Sequence, residues 1–347
     1  MLVYCIIIII TFVLFLCSIG LKNLNKCKKT FMFFTGVMLI YFAANRGLDV
    51  GTDTYAYYID FLFIETNRFS RTFQGVQIGW LYFNLLINRF LDYNLFMYIC
   101  YTGIISFTWM YIYKLSKQFM LSILLFVLLY FYFNSFNGMR QLIAISIVLF
   151  GYTFLSEEKK FFIICVLCAS LFHFSALLML PLYYIDKFKF SSFTIYTLVF
   201  FSFFIGIFFH SSLTEIISIV SYLDFLNEGV SGYINNYGGQ RNIFSNLIIN
   251  IVFIVTFYLS NKKGDLLLML YFLYIVCNNL FGAGGNASRF FWYFQIAQLI
   301  VLPNTWIEIK GKVKRFLYLS FILVYSYSIF HFSISSNASE IVPYVFR

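Results

Sequence analysis

Charge is what this sequence has least of. Only 11% of its 347 residues are Asp, Glu, Lys or Arg, against about 25% in a soluble globular domain, so water is excluded as the main solvent. The fourteen carboxylates all lie outside the centres of the apolar segments, where ion- or proton-coupled transporters place theirs. No G-x-x-x-x-G-K-[ST] loop occurs, which argues against ATP as an energy source, and no H-E-x-x-H or comparable metal set is present. No basic residue precedes the apolar core of Met1–Gly20, whereas Lys22, Lys26, Lys28 and Lys29 follow it. A secretory signal has the reverse polarity, so this segment reads as a first span with its N-terminus outside. No fixed-period repeat of the solenoid kind is found.

What is there is apolar: 61% of the chain. Stretches of about twenty residues, each enough to cross the hydrocarbon core as a helix, recur at 1–20, 95–113, 119–135, 161–184, 191–210, 244–260 and 316–334. Shorter or more polar candidates are 31–45, 137–155, 266–281 and 290–305. The pattern predicts an all-α polytopic transmembrane helical bundle of roughly ten to twelve spans, with short interfacial or re-entrant helices. Residues 1–347 read as a single integral membrane domain with two longer loops, 45–77 and 211–243. The seven cysteines lie in or beside apolar segments and read as packing, including the Cys165-x-x-Cys168 pair. The net charge of +10 is distributed as topology and lipid head groups would have it, which excludes nucleic acid as a partner.

The basic residues sort by type. One threading treats 76–91 as re-entrant, because Asn84, Asn88 and Arg89 make it a poor span, and lets 161–184 and 212–227 cross. It puts 14 basic residues in inner loops and 10 outside; thirteen of fifteen lysines are then inside, and every arginine except Arg315 is outside. Arginines thus gather on the outer face.

Four groups of residues carry potential chemistry. Asn45-Arg46-Gly47-Leu48-Asp49-Val50-Gly51-Thr52-Asp53 is a tight polar turn, with Asp53 or Thr52 as N-cap of an interfacial helix presenting Tyr55, Tyr58, Ile59 and Leu62. Asn137, Arg140, Gln141 and Ala144 share one face of the next helix. An arginine near hydrocarbon costs about 2.5–3.5 kcal/mol, so Arg140 faces a cavity or partner, or else snorkels to the interface. His173 lies deep in the 161–184 segment and is suited to accept a proton, or to hydrogen-bond a neighbouring helix. Last, Gly282–Arg289 is a glycine loop ending in an arginine that shares a helical face with Tyr293, and the loop before it holds Tyr233, Tyr237 and Arg241. Outward arginines, an embedded histidine and no ATP site suit an anionic, already activated lipid whose diphosphate is gripped by arginine forks.

Arg46-Gly47-x-x-Val50-Gly51-Thr52-Asp53-Thr54-x-x-Tyr57, then Met139-Arg140-Gln141-x-x-Ala144, then Phe172-His173-x-Ser175-Ala176, and a late Arg289-x-x-x-Tyr293, resemble the EpsG-like, Wzy-type polysaccharide polymerases. One departure is the acid Asp49 beside the usual Gly-x-Asp. The resemblance implies a GT-C-like glycosyltransferase of the bacterial cytoplasmic membrane, its site facing outward and lined by loops 45–77 and 228–243. Such enzymes polymerise undecaprenyl-diphosphate-linked repeat units for capsule, O-antigen or exopolysaccharide, beside a flippase and a chain-length regulator, with no cofactor and no metal. It assigns diphosphate binding to Arg140 and Arg289, assisted by Arg46 or Arg241. Gln141 and Tyr293 join the substrate site, His173 is the base or acceptor positioner, and Asp53 or Asp49 orients the acceptor or the arginines. The rival readings are a lipid-linked oligosaccharide flippase and a membrane glycan ligase or O-acetyltransferase.

Overall fold

The computed structural model describes residues 1–20, 24–66, 77–209, 243–261, 263–282, 289–337 and 339–347. Among these the chain is helical, with no strand beyond one isolated bridge between Arg46 and Phe346. Four helices are long and apolar enough by length and composition to cross a membrane: α1 (Leu2–Gly20), α2 (whose Cys27–Ala44 part qualifies), α5 (Tyr93–Leu115) and α15 (Lys312–Ser336). On α1 a single stripe, Tyr4, Ile7, Thr11, Phe15 and Ser18, is buried, while Ile9, Phe12, Val13, Leu16 and Ile19 are turned outward. A helix apolar on both faces is one whose outer face meets lipid.

The chain divides into two compact units. The first comprises Met1–Thr72, Val76–Tyr183 and Leu319–Arg347. It contains α1, α2 (Leu24–Ala44), α3 (Thr54–Leu62), α4 (Ile78–Asn88), α5, α6 (Phe119–Leu128), α7 (Phe131–Asn134), α8 (Met139–Tyr152) and α9 (Lys159–Ser170). Every residue of α6 is buried, as a helix apolar all round must be when it forms the centre of a bundle. The second unit is chiefly Tyr184–Tyr318. There α12 (Leu266–Phe281) packs against α10 (Ser192–Phe208), α11 (Ile243–Leu259), α13 (Trp292–Gln295) and α14 (Gln298–Glu308). Asp92 and Ser191 cap α5 and α10 by accepting from the backbone N–H three residues on.

Three expected spans are not continuous. The 119–135 stretch breaks at Tyr130, which takes a left-handed conformation (φ 69°) between α6 and α7. The 290–305 stretch breaks at Ile296–Ala297, between α13 and α14. The third changes the topology. α9 stops at Ser170, and a 3₁₀ helix runs from Phe174 to Lys187 with Pro181 inside it. Over a straight path Lys159 and Tyr183 would be about 40 Å apart. Instead the Lys159 ammonium donates to the Tyr183 carbonyl at 2.9 Å, and its Nζ sits 5.2 Å from the Tyr183 ring. Midway down the returning limb, the Tyr152 hydroxyl donates to Met179 Sδ at 3.5 Å. Residues 159–183 therefore form a hairpin that re-emerges at the end from which it entered. His173 is at its tip, not deep in a crossing helix.

Candidate functional site

The site is built around irregular backbone between α7 and α8. Non-helical backbone at membrane depth persists only when its polar groups are paired. Here three successive carbonyls each meet a side chain from another element. Ser135 O accepts from the Tyr101 hydroxyl (2.9 Å), Phe136 O from Arg46 Nη2 (3.1 Å), and Asn137 O from the Tyr57 hydroxyl (3.0 Å).

Arg46 is fully buried. Its Nη1 donates to Ala43 O at 2.6 Å, and its Nε lies 3.3 Å from both Val50 O and Thr54 Oγ1. The guanidinium carbon sits 5.1 Å from the Tyr101 ring and 4.6 Å from the Phe136 ring, where cation–π attraction replaces lost hydration. Arg46 is thus the pin between the 46–54 turn and the 135–137 backbone.

Gly51 completes that turn. Its φ of +101° suits glycine, and a Cβ there would stand 2.5 Å from Asn137 Oδ1. Asp53 occupies the N-cap position of α3 without a side-chain cap bond, its Oδ1 accepting instead from Thr52 Oγ1 at 3.2 Å. Asp49 is exposed. On α3 the inner stripe is Thr54, Tyr57 and Phe61; Tyr55 and Leu62 are exposed on the other side, as an interfacial helix requires.

The 339–347 segment, which carried no signal in the sequence, straps this turn. Gly51 N donates to Glu340 O (2.9 Å), Gly47 N to Val345 O (2.7 Å), and Arg347 N to Asn45 O (2.9 Å). Asn137 Nδ2 donates to Ser339 O at 3.0 Å, and the Tyr4 and Tyr344 hydroxyls reach Ile341 O and Phe42 O. Burial pushes the Tyr344 hydroxyl above its usual pKa, against the pull of Arg46, so it stays a neutral donor.

Arg140 contrasts with Arg46. It lies in the first turn of α8 and is half-buried. Among the described residues its guanidinium has no hydrogen bond, ion pair or ring contact. Gln141 beside it is buried. Asn137 precedes the helix and bonds to the strap, so it does not continue the helical face that the spacing predicts.

His173 is half-buried at the hairpin tip, its Nδ1 2.6 Å from Ser175 Oγ. The tip is anchored from α4: Trp80 N donates to Leu171 O at 3.1 Å, and a Cβ on Gly79 would stand 2.5 Å from Leu171 Cβ and 2.6 Å from Leu171 O. Trp80 in turn meets the Tyr57 ring at 5.9 Å. α8 and α9 pack on each other, with the Tyr152 and Phe162 rings stacked at 6.1 Å. From that contact, α8 runs back about 18 Å to Arg140 and α9 runs about 12 Å to its end before His173. The two residues therefore lie at the same end of the pair.

The remaining assignments fall elsewhere. Arg289 lies in the second unit, on a 3₁₀ turn before α13 rather than on a regular helix. Residues three apart eclipse in such a turn, and its guanidinium sits 5.8 Å from the Trp292 ring; Tyr293 is buried. Arg241, Tyr233, Tyr237, 212–227 and nearly all of loop 228–243 lie outside the described residues, as do 67–76 of the first loop and 283–288. No group of three or more His, Cys, Asp or Glu comes together among the described residues.

A family model, the EpsG family, matches residues 29–346. The chain belongs to the EpsG family. The match includes the 46–54 turn, the start of α8, the hairpin tip and all but the last residue of the strap. No curated protein and no solved structure matches the chain. Membership, with the apolar helices, makes this a multi-pass membrane protein of polysaccharide biosynthesis, in a family of polymerases.

Proposed function

We propose that the protein polymerises lipid-diphosphate-linked oligosaccharide repeat units, undecaprenyl-linked as in its family, on the outer face of the cytoplasmic membrane. The observation that carries this reading is Arg140: a half-buried guanidinium at a helix start, unpartnered among the described residues, on the same end as His173. An uncompensated cation near hydrocarbon is costly, and a diphosphate matches its fork. In the transfer, the bond from the growing chain's anomeric carbon to the diphosphate oxygen breaks. A new bond forms from the acceptor hydroxyl oxygen to that carbon. The hydroxyl proton passes to His173, oriented by Ser175, while the lipid diphosphate leaves with the electron pair against Arg140. Asp53 and Asp49, at the mouth of the turn, serve acceptor positioning.

Membrane threading supports the same orientation. The strap ties the end of α15 to the end of α2, so an even number of crossings separates them. With the hairpin and α4 not crossing, eight remain among the described residues: α5, 119–135, α8, α10, α11, α12, 292–308 and α15. Ten crossings are then assigned with α1 and α2, a threading of the sequence that moves Lys187 and Lys189 into an inner loop and leaves Arg315 as the one inner arginine. The lysine-rich face is cytoplasmic.

Arg140→Ala and His173→Ala are expected to leave the protein in the membrane and to cut long glycan by about a hundredfold or more, with single lipid-linked repeats accumulating on the outer leaflet. Long polymer persisting in His173→Ala would remove it as the base. Repeats trapped on the inner leaflet would make the protein a flippase.

A further inference from the structure

The second unit holds a cluster of amides that the reaction above does not use. Asn250 and Asn279 exchange reciprocal hydrogen bonds, Nδ2 to Oδ1, at 2.7 and 2.8 Å, joining α11 to α12. Asn279 Nδ2 also reaches Ser202 Oγ (3.0 Å) and Val199 O (3.3 Å) on α10. Asn250 is in addition bonded to Asn246 O at 2.8 Å. This part is interhelical glue, as polar side chains between membrane helices commonly are.

Toward the end where α11 begins and α12 finishes, the pattern changes. Asn278 Nδ2 donates to Asn246 Oδ1 at 2.8 Å. Asn246 Nδ2 is buried with no acceptor among the described residues, in a residue only 6% exposed. A buried orphan donor is costly, and one next to three hydrogen-bonded amides is not explained by packing. Asn246 also lies in the first turn of α11, where backbone N–H groups have no intrahelical acceptor. Asn278 closes the other side, its carboxamide beside Gly282 at the end of α12, where a Cβ would stand 2.5 Å from Asn278 Oδ1.

From this geometry we infer that Asn246 and Asn278 form a contact site for a neutral sugar of the repeat unit. The chemistry selects the ligand. The four clustered side chains with Ser202 carry donors and acceptors but no formal charge, which suits a hydroxyl, itself donor and acceptor, and not a diphosphate. The inference rests on the polysaccharide reading but not on which step the protein catalyses.

The test uses full-length protein in lipid nanodiscs and, as probe, the free oligosaccharide released by mild acid from the cell's own lipid-linked repeat units. Saturation-transfer NMR should detect binding to the wild type. Asn246→Leu, which removes the unpartnered donor together with the acceptor of Asn278 Nδ2, should weaken binding about three- to tenfold, the worth of one neutral hydrogen bond, and lower the melting temperature less than Asn250→Leu, because Asn278 is only half-buried. Asn250→Leu should instead lower the melting temperature, since it takes the Asn250 donor from buried Asn279 Oδ1 and the Asn250 acceptor from Asn279 Nδ2. Binding equal to wild type in Asn246→Leu overturns the site, as does a melting temperature that falls as far as that of Asn250→Leu. Polymerisation assayed in the same nanodiscs separates the two ideas. A wild type that binds the oligosaccharide but never extends it refutes the polymerase and leaves the sugar contact standing.

Discussion

Replacing Arg46 by methionine should destabilise the protein rather than merely weaken a substrate contact. Methionine keeps the length of the side chain and its contact with the Tyr101 and Phe136 rings, but removes every donor. Val50 O keeps Thr54 Oγ1 at 2.7 Å, whereas Ala43 O and Phe136 O lose their short partners at 2.6 and 3.1 Å. Two buried carbonyls left open cost about 2–6 kcal/mol together, and the cation–π contacts add about 1 kcal/mol or more. Removing the guanidinium from apolar surroundings returns about 2.5–3.5 kcal/mol. The balance runs from about zero to about 4.5 kcal/mol, with losses of about 2 kcal/mol at its centre. Arg46→Lys should recover little, because one ammonium cannot span carbonyls on opposite sides of the planar fork. The measurement is the melting temperature of the detergent-solubilised protein, followed by size-exclusion recovery after heating. Arg140→Met is the internal control: with no partner to lose, it should melt at or above the wild-type temperature. If Arg46→Met melts with the wild type while Arg140→Met falls, the division between pin and ligand-binding arginine is wrong.

Gly79→Ala should lower polymer yield by at least tenfold with little loss of membrane-inserted protein, since a Cβ 2.6 Å from Leu171 O must shift the hairpin tip that carries His173. Glycan length on a gel, with immunoblotting for protein, checks it, and normal long chains would show that the tip is not part of the site. In a background with the seven cysteines replaced, Cys at the exposed positions Ser156 and Ser191 should both react with a membrane-impermeant thiol reagent only from the cytoplasmic side, and Cys at exposed Thr52 only from the outer side. Opposite sidedness of 156 and 191 would turn the hairpin back into a crossing.

Helix positions were written plainly in the chain. The 1–20, 95–113, 244–260 and 266–281 stretches became helices within two or three residues of their apolar limits, because solvation by lipid is a local property of each segment. The reversal at 171–173 was not legible, since a hairpin and a crossing have the same composition. What distinguishes them is a bond between Lys159 and Tyr183, 24 residues apart. The same holds for the arginines. Arg46 and Arg140 both follow an asparagine in a short glycine-containing turn and would be ranked alike by insertion cost. Their roles diverge because Arg46's acceptors are backbone oxygens, and a backbone oxygen has no letter in a sequence. Only when 135–137 is seen to leave the helix does it need donors from outside, and Tyr57, Tyr101 and Arg46 supply them. With the backbone thus held, Arg140 is left with no group to pair with among the described residues. A fold that fills the donors of one arginine while leaving its neighbour in the first turn of α8 unpaired has separated support from recognition, and that separation points the search for substrate contacts at Arg140.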